Sequence, residues 1–372
     1  MKLRQTAWLT SGLVMVSVLL AACSSSGSSS ASSSTTSAGT SSGAAASSGA
    51  GSSGSASSSG SSAALKTGLK VFIIPKNLGN NYFTTADSAK TDGAIAALTT
   101  LGESGTETSG TAATPASQIP AIQAAISRGA NVLIVSATDP TALCPTLNAA
   151  MKRGITVVTY DSDAPGCRDV FINQASTAQI GTSEVDVLAS ELGDSGDIAI
   201  VSATASATNQ NAWIGYMKQE LTKYPKMKLV ATVYGNDDPT TATQVTQGLL
   251  EQYPNLKGII SPTTVGIAAA AAVLDTAKYR GKVLLTGLGT PDSLKKYVAD
   301  GTIKAFILWK PQDLGYLAAY AAVEYASGAI NGTQGQTFSA GRLGTFTIGT
   351  DKTVLLGPPF TFTSSNINQF NF

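Results

Sequence analysis

The chain has 372 residues, 24 of them Lys or Arg and 23 Asp or Glu, so it carries almost no net charge. That balance excludes a phosphate-neutralising nucleic-acid face and a surface built for an acidic or polybasic ligand. Histidine is absent, which removes the usual general base, the commonest transition-metal ligand and the Ser-His and Cys-His nucleophile pairs, and weighs against catalysis.

Lys2 and Arg4 precede an apolar stretch over residues 8–22 that fits a secretory signal and is too short to span a bilayer. The boundary Leu19-Leu20-Ala21-Ala22-Cys23 resembles the lipobox of bacterial lipoproteins. The resemblance implies that residues 1–23 are the signal, that Cys23 is lipidated, and that the protein is extracytoplasmic and held to the cell membrane by lipid alone. Residues 24–64 are all Ser, Gly, Ala or Thr, a composition with no apolar mass to offset ordering and an r.m.s. reach of roughly 35 Å as a flexible tether.

Residues 65–372 are long enough for one large domain or two lobes, and the 43% apolar content of the chain supports real cores. Short β-branched runs alternate with helical periodicity, the pattern of crossover units on a parallel sheet. Strands are predicted at 71–74, 132–135, 155–159 and 170–172. Helices are predicted at 118–128, with Ile119, Ile122 and Ile126 on one stripe, and at 142–152, with Leu143, Leu147 and Met151 on another. A second series of strands starts over at 197–201, 228–233, 258–260 and 283–285. The fold class is therefore α/β, with two Rossmann-like lobes and a cleft where ligands sit beyond the C-terminal ends of the strands.

With Cys23 assigned to lipid, Cys144 and Cys167 remain as a disulfide pair for an oxidising compartment. The entropy of closing that loop corresponds to about 3 kcal/mol.

Strand ends carry Lys76, then Ser136, then "TYDSDAPGC" over residues 159–167, then "TNQN" at 208–211, "PTT" at 262–264 and "GT" at 289–290. With Tyr82, Phe83, Trp213 and Trp309 nearby, the set is polar, mostly uncharged and aromatic. Carboxylates accept from hydroxyl pairs, amides donate and accept, and flat rings cover the apolar faces of sugars. Asp161 and Asp163 admit four readings: a hydrolytic pair, a calcium site, a ligand acceptor at Asp161, or a turn in which both are structural. Ligand acceptance by Asp161 with a structural Asp163 beside the Pro165-Gly166 turn fits best, since hydrolytic carboxylates flank a sugar from opposite sides. Lys76 reads as a ligand contact or a solvated strand end, Trp213 as core or pocket, and one of Asn209, Gln210 and Asn211 as a helix cap. "GLGTP" at 287–291 lacks the ending of a phosphate loop and reads as a tight strand-to-helix turn. The Ala- and Tyr-rich helix at 314–326 reads as close packing on a sheet.

The runs "VFIIPKNLGNNYF", "VLIVSATDPTALCP", "VVTYDSDAPGCRDVFINQ", "ATNQNAW", "GIISPTTVGIAAAA", "TGLGTP" and "LWKPQDLGYLAAYAA" resemble type I periplasmic solute-binding proteins that feed ABC importers. Within them the likeness is to the rhamnose-binding and autoinducer-2-binding branch. It implies two lobes joined by three hinge crossings, expected near Asn173, Trp309 and Gly341. Residues 65–173 and 310–341 then form the first lobe and residues 174–309 and 342–372 the second. It also implies ligand contacts at Lys76, Tyr82, Phe83, Asp161, Asn209, Gln210, Pro262, Thr264 and Trp309. Autoinducer-2 binders carry aspartate where this chain has Asn209 and alanine where it has Thr264, whereas "ATNQNAW" and "PTTVGIAAAA" match the rhamnose type.

The expectation is a non-enzymatic, monomeric receptor that needs no cofactor or metal. It delivers a small neutral sugar, a rhamnose-like deoxysugar foremost, to an ABC permease. Autoinducer-2 uptake or signalling is the alternative, and a glycoside-acting enzyme is a remote one.

Overall fold

The structure, a computed structural model, describes residues 64–372. The expected signal, the lipidation site Cys23 and the tether up to residue 63 lie outside the described residues.

The chain opens with β1 (Lys70–Ile74), α1 (Asn81–Asp87), α2 (Ala94–Thr100), β2 (Ser104–Glu107), α3 (Pro115–Ser127), β3 (Val132–Val135), α4 (Pro140–Lys152), β4 (Thr156–Tyr160) and β5 (Val170–Asn173). It continues through α5 (Thr177–Leu192), β6 (Ser195–Ser202), α6 (Thr208–Glu220), β7 (Lys226–Tyr234), α7 (Pro239–Gln252), β8 (Leu256–Ser261), α8 (Thr264–Leu274), β9 (Leu284–Gly287), α9 (Pro291–Ala299) and β10 (Ala305–Leu308). The last part holds α10 (Pro311–Ala326), a hairpin of β11 (Thr337–Ser339) and β12 (Thr345–Thr347), then β13 (Thr353–Leu355) and β14 (Phe360–Thr363).

Two parallel sheets result, one ordered β13-β5-β4-β3-β1-β2 and the other β7-β6-β8-β9. Strands buried on both faces need apolar residues throughout, which is why they read as unbroken runs. In the first sheet Phe72, Ile74, Leu133 and Val135 pack with Ile122, Leu143 and Leu147 of α3 and α4. Their alternates Val71, Ile73, Val132 and Ile134 join a larger core with Leu98, Leu314 and Leu317 of α2 and α10. Several helices start with proline at N1 behind Thr114, Asp139, Asp238, Thr290 or Lys310 as N-cap. Proline there costs no hydrogen bond and presets the helical φ.

The chain leaves the first sheet after β5, returns to it when α10 packs on α1, α2 and β4, and leaves again before β14. The third departure differs from the sequence expectation. The family resemblance implies a crossing near Gly341, yet β13 pairs with β5 through Val354 and Ile172, so the chain stays on the first sheet until the segment 356–359, with Pro358 and Pro359. Gly341 serves another purpose: at φ 49°, a Cβ there would meet the Tyr316 and Tyr320 hydroxyls. β14 then pairs antiparallel with β10, whose Ile307 bridges to Leu288 just past β9.

Glu184 of α5 is fully buried and no described residue hydrogen-bonds either carboxyl oxygen. Burial pushes its pKa well up. The folded protein therefore holds one proton more than the unfolded chain at pH values above the unfolded carboxyl value of about 4.3, and stability falls as pH rises through that window. Glu184→Gln removes this slope. In a pH series of thermal melts its melting temperature exceeds that of the wild type at pH 8 and converges with it at pH 4; an equal gap at both would show a solvated carboxyl.

Candidate ligand site between the lobes

The C-terminal ends of both sets of strands converge on one narrow cavity, partly open to solvent, at the position where open α/β sheets hold ligands. Lys76 stands two residues past β1, Asp161 directly after β4, Asn209 and Gln210 in the first turn of α6, Pro262 after β8, Thr264 at the start of α8, and Trp309 after β10. Tyr82 and Phe83 come from α1, which α10 holds tightly: a Cβ on Gly315 would collide with the Ala86 carbonyl. All nine residues singled out from sequence line this cavity.

Its polar centre is a buried network. Asp161 takes a left-handed conformation, φ 61°, a strained state for a non-glycine residue and typical of functional positions. Its Oδ2 accepts from Ser136 Oγ at 2.7 Å and lies 3.5 Å from Lys76 Nζ. Its Oδ1 accepts from Asn209 Nδ2 at 3.3 Å, while Asn209 Oδ1 accepts from Lys76 Nζ at 3.2 Å. One amide from the second lobe thus bridges an ion pair of the first. Beside it, Gln210 Oε1 is buried with no hydrogen bond from any described residue.

The walls are aromatic. Trp309 Nε1 donates to the Tyr82 hydroxyl at 2.9 Å, and Trp213 lies 6.1 Å from Trp309 between ring centroids. Phe83 meets Tyr82 edge-on at 5.1 Å and packs against Tyr160, whose hydroxyl donates to the buried Asp87 carboxylate. Burial, and then the nearby Asp161 charge, raise the Tyr82 pKa well above its ordinary value, so its phenol stays protonated with a hydrogen to donate.

Asp163 sits apart from this centre. Its Oδ1 accepts from Thr159 Oγ1, the Ala164 amide and Arg168 Nε at 2.6, 2.8 and 2.9 Å, and its Oδ2 accepts from an Arg168 terminal nitrogen at 3.0 Å. The expected asparagine cap does not form. Ala207 is the N-cap of α6, and Asn211 Nδ2 donates to the Ala205 carbonyl at 2.7 Å. Asn80, Trp213, Asp237, Thr263, Leu288 and Leu308 also line the cavity. Asp237 carries no sequence signal of its own, since "GNDDP" after β7 has the composition of an ordinary turn and cap, and Leu288 and Leu308 are apolar residues at strand ends, indistinguishable by type from core.

Two parallel α/β lobes enclosing a polar, aromatic-walled cavity at their strand ends define a two-lobed solute-binding protein with the type I periplasmic binding fold. The chain belongs to the periplasmic binding protein family, its residues 71–330 matching the periplasmic binding protein domain, and that family implies an extracytoplasmic location. It is similar to a sugar ABC transporter protein of Actinomyces odontolyticus, with 44% identity, TM-score 0.64, and coverage of 82% of this chain and 98% of that one. An ABC transporter solute-binding protein from Clostridium phytofermentans with bound L-rhamnose shares 36% identity at TM-score 0.78, covering 82% and 98%. LsrB from Clostridium saccharobutylicum in complex with AI-2 shares 27% at TM-score 0.75, covering 82% and 100%. The chain spans about half the length of the curated relatives it matches. These structural neighbours are binding and transport proteins, not enzymes, and among the described residues no helix is long and apolar enough to cross a membrane.

Cys144 of α4 and Cys167 form a disulfide, with Cα atoms 5.3 Å apart. It anchors the loop that carries Asp161 and Asp163. Replacing both cysteines by alanine is expected to lower unfolding free energy by about 3 kcal/mol in urea titrations; an unchanged midpoint and slope would mean that the bond does not constrain the unfolded chain.

Proposed function

We propose that the protein is the extracytoplasmic receptor of an ABC sugar importer, binding a small neutral sugar between its lobes and delivering it to the permease. The observation that carries this is the buried polar centre built from both lobes, in which Gln210 Oε1 has no donor among the described residues and Asp161 lines the cavity beneath aromatic walls. A polyol supplies donors and acceptors for that centre, and its apolar ring face fits the flat side chains. Contacts from both lobes favour the closed arrangement, so ligand shifts an equilibrium between open and closed forms.

A rhamnose-like deoxysugar is the foremost ligand. The L-rhamnose-bound relative shares more identity with this chain than the AI-2-bound one does, and Asn209 and Thr264 depart from the autoinducer-2 pattern. The second reading, autoinducer-2 capture, is supported by the fold likeness to the AI-2 complex and by Lys76, Asp161 and Gln210. A micromolar dissociation constant corresponds to about 8 kcal/mol. Titration calorimetry of the purified protein against L-rhamnose, autoinducer-2, D-allose and D-arabinose is expected to give micromolar binding for one of them, L-rhamnose foremost; if none binds below millimolar, the reading fails.

The signal and Cys23 make the receptor a lipoprotein tethered by residues 24–64. Intact-mass analysis of membrane-extracted protein is expected to show a chain starting at a lipidated Cys23. Release of an unmodified chain to the medium would overturn the anchor.

A further inference from the structure

The loop from β7 to α7 is built at a conformational expense. Asn236 and Asp237 both have left-handed backbones, φ 56° and 48°, a pairing that side-chain-bearing residues seldom adopt in succession. It is pinned on both sides: the Gly235 and Asn236 amides donate to the Ser202 and Ala203 carbonyls at 2.8 Å each, and Asp238 caps α7 by accepting from the Thr241 amide at 2.7 Å. Asp238 therefore accounts for the helix start, and capping does not explain Asp237.

The strained turn directs Asp237 into the cleft. The residue is 9% exposed and lines the same cavity as Lys76 and Asp161. The Thr263 hydroxyl donates to its Oδ1, and no described residue donates to Oδ2. Burial raises its pKa, partly offset by the Lys76 charge and the Thr263 bond, while the Asp161 charge raises it further. These groups therefore sense one another across a single space. Lys76 is the one cation among the residues lining that cavity, and it is engaged by Asp161 and Asn209. Gln210 lines the same space, and its buried Oε1 has no donor among the described residues.

From this we infer that Asp237 is the second lobe's carboxylate acceptor and sets the ligand class: a neutral polyol whose hydroxyls donate to Asp161 from one lobe and to Asp237 from the other, with sugar acids rejected. A hydroxyl donated to a carboxylate forms a charge-assisted bond. A uronate would instead bring a third carboxylate to a buried space with one occupied ammonium, where an unpaired charge is strongly disfavoured. The inference rests on the sugar-site reading above and adds to it a residue and a rule of exclusion.

The test is calorimetric titration of the wild type, Asp237→Asn, Thr263→Val and Asp161→Asn with L-rhamnose, D-allose, D-arabinose and D-glucuronate, each variant checked by thermal melt. Asparagine keeps the shape of the side chain and tolerates the left-handed backbone. The expected result is at least tenfold weaker binding of the best neutral sugar by Asp237→Asn. Discrimination against D-glucuronate falls with it, and Thr263→Val gives a smaller loss in the same direction. If Asp161→Asn loses the sugar while Asp237→Asn and Thr263→Val bind it within twofold of wild type with discrimination intact, this inference fails and the sugar-site reading stands. If the wild type binds none of the neutral sugars, the sugar-site reading itself fails and takes the inference with it; wild-type preference for D-glucuronate would overturn the exclusion rule alone.

Discussion

The Lys76 ammonium and the Asp161 carboxylate sit 3.5 Å apart with 4% and 7% of their side chains exposed, and the remainder of the site is arranged around the difficulty of keeping them there. Two charges taken out of water lose several kcal/mol each of hydration, on the order that a bare ion pair fails to recover. Ser136 and Asn209 supply the missing hydrogen bonds. Because Asn209 belongs to the other lobe, solvation of the pair is shared across the cleft, and bringing the lobes together is coupled to stabilising the charges.

Two acidic residues reach the cavity by the same structural means. Asp161 follows β4 and Asp237 follows β7, and each uses a left-handed backbone to turn its side chain off the strand line. An aspartate is among the few side chains for which that turn is tolerable. Asp163, two residues beyond Asp161, shows the contrast: with Arg168 gripping it and Arg168 Nη1 donating to the Asp351 carbonyl, it ties the loop to the connection before β13. Proximity in sequence to a ligand-facing carboxylate says little about the role of its neighbour.

Much of the architecture was legible because strands buried on both faces leave continuous apolar runs and helices leave apolar stripes, although α3, α4 and α10 begin about one turn earlier than those stripes, at Pro115, Pro140 and Pro311. What escaped lacked those physical signatures. β2 reads "SGTE", with no apolar side chain, and exists because β1 offers it a parallel edge. β13 is three residues long and forms through pairing with β5, so the third crossing is misplaced when judged from Gly341 alone. Among site residues, position at a strand end was the usable signal, and it brought Lys76, Asp161, Gln210 and Pro262 to one cavity. It missed Asp237 because Asn, Asp and Pro in succession are the common vocabulary of turns; only tertiary placement separates the aspartate that caps from the one that faces the cleft.

The segment leading into α6 carries hydroxyls as well as the amides of Asn209 and Gln210. Ser206 Oγ donates to the Thr138 carbonyl at 3.2 Å and Thr208 Oγ1 to the Asp163 carbonyl at 3.1 Å, both reaching loops of the opposite lobe. Lobe-to-lobe fastening and the polar wall of the cavity thus share the short segment 206–210 that leads into α6. Separating the lobes gives up the Ser206 and Thr208 bonds as well as those of Asn209. The closed arrangement is thereby held in part by contacts outside the cavity wall, carried on the same segment of chain that shapes the wall itself.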